Sequence, residues 1–124
     1  MEKVQVIRIP GKGRGVIATQ AIAKGETVER SPVLPIALRD SECPALNDYC
    51  MAWGEALDTC EPGTECCVGL GYLMLYNHSA APNLTIRRHF DVNEMSMVAL
   101  RDIAAGEELT YDYDVPLWFT AAAE

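Results

Sequence analysis

The chain has 124 residues, 49% of them hydrophobic and 23% charged, with a formal net charge of -8. That length predicts one domain, because a second core would have too little surface to bury, and the composition excludes disorder and low complexity. The acidity argues against phosphate-backbone binding as the main role, which needs clustered Lys and Arg; it favours a basic partner, though acidity also serves solubility alone.

Val4, Val6, Ile7 and Ile9 predict a short strand ended by Pro10, so the first residues read as strand rather than as a signal peptide. Gly11-Lys12-Gly13-Arg14-Gly15 follows, with glycine at alternate positions, and Val16-Ile17-Ala18 resumes an apolar strand. Such a segment can approach a ligand closely or take positive φ angles. It lacks the G-x-G-x-x-G spacing of a dinucleotide fold and the Gly-Lys-Ser/Thr end of a P-loop, so the residues alone predict a glycine hairpin.

Ile22-Ala23-Lys24-Gly25-Glu26-Thr27-Val28 is echoed by Ile103-Ala104-Ala105-Gly106-Glu107-Glu108-Leu109, each an apolar turn with a late glycine leading into a strand. Two short copies do not make a repeat protein and point instead to strands joined by tight turns. Residues 28–36 read as extended, with Pro32 and Pro35 placing them at a sheet edge or bulge.

Residues 37–68 are the least legible part. They hold Cys43, Cys50, Cys60, Cys66 and Cys67, with no C-x-x-C pair, plus Tyr49, Trp53 and a turn at Glu61-Pro62-Gly63, and residues 45–53 fit either a short helix or a strand. Adjacent Cys66 and Cys67 point in different directions on any regular element, so partly buried thiols are expected and no metal site is predicted. The longest apolar run, residues 68–76, is about half a bilayer span, and its Leu, Met and Tyr suggest a helical turn or two. An intracellular protein without a membrane role is the expectation.

Residues 84–90 and 95–101 read as two strands around a turn at Asp91-Val92-Asn93, and residues 108–113 as a last strand. Two segments stand out against this pattern. Asn77-His78-Ser79, with Pro82-Asn83 behind it, puts polar side chains after an apolar run, and Gly106 to Tyr113 ends an apolar strand in two same-face tyrosines. Taken alone, Asn77 and His78 form a structural hydrogen-bonding pair and Tyr111 and Tyr113 are ordinary strand aromatics. Adjacent Glu107 and Glu108 point to opposite faces of a strand, which argues against a carboxylate acid-base pair.

Four segments in order resemble the SET domain, the β-rich fold of S-adenosylmethionine-dependent protein lysine methyltransferases. They are Gly11 to Val16, Lys24 to Glu29, Tyr76-Asn77-His78-Ser79 with Pro82-Asn83, and Arg101 to Tyr113, and together they cover nearly the whole chain. In length the chain is similar to minimal, stand-alone viral and bacterial members. The resemblance implies a mainly β, β-clip-like fold of several small curved sheets with a C-terminal pseudoknot and little helix. It would form one SET domain over residues 1–124, with residues 37–68 as its variable insert and 114–124 as a short tail.

The same resemblance implies site roles. The backbone around Lys12, Gly13 and Arg14 would line the cofactor's methionine end, and Asn77 and His78 would hold its amino and adenine groups. Tyr113 would face the transferring methyl, with the pseudoknot bringing it to Asn77, and Trp118 with Phe119 would cover the adenine. Tyr111 falls where members carry Phe or Tyr, and tyrosine there implies monomethylation. A target lysine, which titrates near pH ~10.4 in water, costs roughly 4 to 5 kcal/mol to deprotonate at pH 7. An apolar channel beside a sulfonium lowers that cost, and in-line geometry supplies most of the acceleration.

Three departures from the family pattern stand in the chain. Ala80 replaces the usual cysteine after Asn-His-Ser, Arg30 stands where many members have a substrate-channel tyrosine, and the tail after Asp114 has no cysteines for a post-SET zinc cluster. The predicted partner is a basic, histone-like or otherwise Lys-rich protein segment, with no direct nucleic acid. The compartment is cytoplasmic, or nuclear if the target is a histone. A brief tail leaves room for a homodimer that completes the substrate groove. A non-catalytic cofactor- or peptide-binding module is the alternative, since fold alone does not guarantee activity.

Overall fold

The computed structural model describes residues 2–36, 51–53 and 66–112. Among them the chain is mainly β, as expected, and contains no helix. The strands are β1 Val4–Ile9, β2 Gly13–Ala18, β3 Thr27–Ile36, β4 Met51–Ala52, β5 Cys66–Gly69, β6 Asn77–His78, β7 Leu84–His89, β8 Glu94–Ala99 and β9 Glu108–Tyr111. They form a four-stranded sheet in the order β1-β2-β9-β6 and a five-stranded sheet in the order β4-β5-β3-β8-β7. No helix among the described residues is long and apolar enough to cross a membrane.

The sequence signals translate directly in the hairpins. β1 and β2 pair antiparallel from Val4↔Ala18 to Ile9↔Gly13 around the glycine-rich turn. β7 and β8 pair from Leu84↔Ala99 to His89↔Glu94, and Asn93 takes a φ of 52° in the turn between them, a left-handed conformation that Asn tolerates better than most side chains.

β3 departs from expectation. It lies in the middle of its sheet rather than at an edge, but its two halves use different neighbours. Thr27 to Pro32 pair with β8 and Val33 to Ile36 with β5, so each half is laddered on one side in these registers, which is how the strand accommodates two prolines. A bulge does occur, but ahead of the prolines: the register slips between Thr27 and Glu29. The slip puts Val28 and Glu29, neighbours in sequence, both inside, and from Glu29 onward Ser31 and Val33 continue the buried face while Arg30, Pro32 and Leu34 face out.

The twin turns pair with each other. Ile22 and Ile103 form an antiparallel bridge, with N–H to O distances of 2.9 and 2.8 Å. Each turn closes in the same way: Glu26 N–H donates to Ala23 O at 3.0 Å and Glu107 N–H to Ala104 O at 3.2 Å. The glutamate side chains reach back to accept from Ala23 N–H at 3.3 Å and Ala104 N–H at 2.6 Å. Gly25 and Gly106 sit at φ 85° and 89°, a region that other residues enter only under strain.

One hydrophobic core joins both sheets, including Val4, Val16, Ile22, Leu73, Leu84, Met95, Met97, Ile103 and Leu109. β8 runs buried from Met95 to Ala99, covered on both faces. Each fully buried Leu, Ile, Val or Met side chain contributes roughly 1.5–3 kcal/mol by leaving water. Residues 71–75 form successive tight turns rather than the expected helical turns, with Leu73 N–H donating to Leu70 O at 3.3 Å and Leu75 N–H to Tyr72 O at 2.8 Å. The buried carboxylate of Glu29 accepts from the Tyr72 N–H at 2.9 Å, near the start of these turns.

Candidate active site

The site is built where the two conspicuous segments meet. β6 runs parallel to β9, pairing Asn77 with Thr110 and His78 with Tyr111, and Ser79 N–H donates to Tyr111 O at 3.1 Å. A parallel pair needs a crossover, here supplied by the β7–β8 hairpin in the other sheet. Asn83 locks the arrangement. Its carboxamide donates to Glu108 O at 2.8 Å and accepts from Thr110 N–H at 2.9 Å, so a buried side chain replaces a strand edge beside β9.

Asn77 is held by its nitrogen. Nδ2 donates to Glu108 Oε2 at 2.7 Å and to Arg14 O at 3.0 Å. With both amide hydrogens engaged, Oδ1 is turned away as an acceptor for a separate donor. Glu108 also accepts from Lys12 Nζ at 3.0 Å, in an ion pair whose side chains are largely shielded from solvent. One carboxylate therefore ties the β1–β2 hairpin to β6. The closeness depends on Gly15: a Cβ there would lie 2.3 Å from Ile9 Cδ1, 2.8 Å from Asn77 Nδ2 and 2.9 Å from Glu108 Oε2. The hairpin tip is the opposite, with open space where Cβ atoms at Gly11 and Gly13 would project.

His78 is half-buried, its Nδ1 3.8 Å from Asp112 Oδ1, a charge contact when the imidazole is protonated. Tyr111 is 6% exposed and, with Asp112, borders a groove of about 250 Å³ whose other walls include Leu84, Ile86, Arg88 and Leu100. Glu107 and Glu108 do diverge, Glu107 going to Arg101 at 3.1 Å. Arg30 lies on the outer face, paired with Glu94 at 2.7 Å.

Of the predicted site residues, Lys12, Gly13, Arg14, Asn77, His78 and Tyr111 are gathered around the β2–β9–β6 edge by these pairings. Tyr113, Trp118 and Phe119 lie outside the described residues, as do Cys43, Cys50, Cys60 and Tyr49. Cys66 and Cys67 are buried thiols, and among the described residues no cluster of His, Cys, Asp or Glu suits a metal ion. Sequence reasoning misses the tethering role of Glu108, which has no local signature, and that of Asn83. It also misses Glu29, whose signal is there to be found: an acid in register with Ser31 and Val33 on the inward face of an apolar strand.

The SET domain profile of protein families matches residues 13–114. The chain belongs to the SET-domain family of protein-lysine N-methyltransferases, whose methyl donor is S-adenosylmethionine. Among individual relatives, it is 31% identical over 128 residues to a histone-lysine N-methyltransferase of Schizosaccharomyces pombe, H3 lysine-37 specific, covering 94% of this chain and 82% of that one. It is 36% identical over 123 residues to N-lysine methyltransferase KMT5A-A of Xenopus laevis, covering 90% of this chain but 36% of the frog protein. Its structure resembles that of a Plasmodium falciparum protein provisionally assigned as a histone methyltransferase, with TM-score 0.69 and 27% identity, covering 94% of this chain and 97% of that one. It also resembles KRYPTONITE in complex with mCHG DNA and SAH, with TM-score 0.68 and 25% identity, covering 92% of this chain and 24% of that one.

The residues present fit the family's cofactor. The uncrowded glycine tip lets backbone approach a ligand, and the fixed Asn77 carboxamide offers Oδ1 to a donor such as an α-ammonium group.

Proposed function

We propose that this chain monomethylates a lysine in a basic, histone-like protein segment, working as one SET unit over residues 1–124. The observation that carries the reading is the parallel pairing of β6 with β9, which sets Asn77 and His78 beside Tyr111. In this reading the backbone of Lys12, Gly13 and Arg14, with Asn77 and His78, holds S-adenosylmethionine, and Trp118 covers its adenine.

The bound cofactor supplies an electrophilic methyl group on a sulfonium cation. Tyr113 orients the lysine amine through its hydroxyl. Tyr111 holds a water where a second methyl would go. Removing the amine's proton at pH 7 costs roughly 4 to 5 kcal/mol in water, and a narrow apolar setting lowers that cost by disfavouring the ammonium form. The net charge of -8 attracts a basic segment. The substrate class is supported by the fission yeast relative, an H3-specific enzyme, and a histone target would place the protein in the nucleus. A second copy completing the substrate groove is part of the proposal.

The test is transfer of labelled methyl from S-adenosylmethionine to recombinant histone H3 and to a Lys-rich control protein, with products read by mass spectrometry. Wild type should yield mainly monomethyl-lysine, Tyr111→Phe should raise the di- and trimethyl products, and Tyr113→Phe should abolish transfer while sparing cofactor binding. No transfer by wild type sinks the function, and an unchanged product distribution in Tyr111→Phe sinks the role given to that hydroxyl.

A further inference from the structure

Glu29 is 2% exposed, yet among the described residues its partners are three uncharged donors. Oε1 accepts from Tyr76 OH at 2.6 Å, and Oε2 accepts from Ser31 Oγ at 2.7 Å and Tyr72 N–H at 2.9 Å. A buried carboxylate is costly unless such bonds offset its lost hydration, and an aliphatic residue at this strand position would avoid the cost. Packing alone therefore does not account for it.

Its partners show what it holds. Tyr72 and Tyr76 are the two ends of the turn that delivers the chain into Asn77, and the same carboxylate grips both. The turn fits only because Gly71 lacks a side chain: a Cβ there would lie 2.5 Å from Glu29 Oε2 and 2.6 Å from Ser31 Oγ. At the far end, Tyr76 turns inward to Glu29 while Asn77, the next residue, turns to Glu108 and Arg14 O. Burial, and then the Glu29 charge, keep the Tyr76 phenol protonated far above its ordinary range, so it remains the donor.

We infer that Glu29, through Tyr76 and the Tyr72 amide, is a positioning residue that sets where Asn77 meets the cofactor's amino-acid end. The inference rests on the reading of Asn77 as a cofactor contact. It assigns Glu29 no contact with substrate or cofactor, so its effect falls on cofactor affinity and not on the chemical step.

The experiment measures S-adenosylhomocysteine binding by calorimetry, the KM for S-adenosylmethionine and kcat on histone H3, and the Asn77 side-chain amide resonance in the ligand-free protein. Tyr76→Phe and Glu29→Gln should each weaken binding about tenfold, the scale of one lost charged hydrogen bond, raise KM in step, change kcat less than about threefold and shift the Asn77 resonance. Val33→Ala, two residues along the same buried face from Ser31, is the control for general destabilisation: Tm should fall while affinity stays within about twofold. Wild-type affinity in both variants, or equal weakening by Val33→Ala, overturns the inference. If wild type binds no S-adenosylhomocysteine while the resonance still shifts, the positioning stands and the cofactor reading fails; without the shift, the positioning fails too.

Discussion

The turns at residues 22–28 and 103–109 are built from the same local chemistry and end in different work. Both close through an Ala O to Glu N–H bond, cap themselves with that glutamate, and bend at a glycine with positive φ. Both glutamates are then held from outside, Glu26 by Lys3 at 2.9 Å and Glu107 by Arg101 at 3.1 Å. The next position separates them. Thr27 is exposed at the start of β3, whereas Glu108, its counterpart, ties Lys12 to Asn77. A turn motif thus specifies how the chain reverses, and the residue after it acquires a role only from what the sheet brings alongside.

The comparison breaks most sharply if the second turn is made to read like the first. Glu108→Thr removes the acceptor shared by Lys12 and Asn77, and with charged hydrogen bonds worth about 1.5–3 kcal/mol it should weaken S-adenosylhomocysteine binding roughly ten- to a hundredfold by calorimetry. Thr27→Ala at the matching place should leave binding unchanged and stability within about 0.5 kcal/mol. If the two behave alike, the division of labour is wrong.

The glycines test the likeness of the turns rather than their difference. Gly25→Ala and Gly106→Ala each force a side chain into the left-handed region, so each should cost about 1–2 kcal/mol, seen as closely similar drops in Tm. Methyl transfer should fall further in Gly106→Ala, because β9 follows it. Unequal drops in Tm would show that the turns are not equivalent.

The smallest effect concerns pH. Lys3 and the Ala23 N–H hold Glu26 below the ordinary value of 4.5, and Arg101 and the Ala104 N–H do the same for Glu107. A carboxyl lowered in the folded state contributes stability above its unfolded pKa and loses it as pH falls through the folded value. Glu26→Gln and Glu107→Gln should therefore each flatten part of the stability loss in acid denaturation below about pH 4.5, with little change in the shape of the curve above it. A steeper acid limb in either variant would contradict the sign.

Much of the fold is legible in the order of residues. The hairpins at β1–β2 and β7–β8, the two echoed turns and the strand at β9 follow from alternation and turn residues, which act over a few positions. The prolines of β3 point to a sheet edge or bulge, but the strand is central and regular at both, because its two halves change partners between β8 and β5. The segment before Asn77 looks helical from Leu, Met and Tyr but forms tight turns, with Glu29, 43 residues upstream, accepting from the Tyr72 amide.

Local spacing and linear motifs suffice for the strand pattern, the turns, the family and the candidate residues Asn77, His78 and Tyr111. They do not say that Asn77 lies beside Thr110 on a parallel strand, that Glu108 joins it to Lys12, or that Glu29 anchors the turn behind it; the folded arrangement of the sheets sets all three. Those contacts link residues 31 to 96 positions apart. Hydrogen bonds at such separations leave no periodicity in the chain and form only once the core has closed around them.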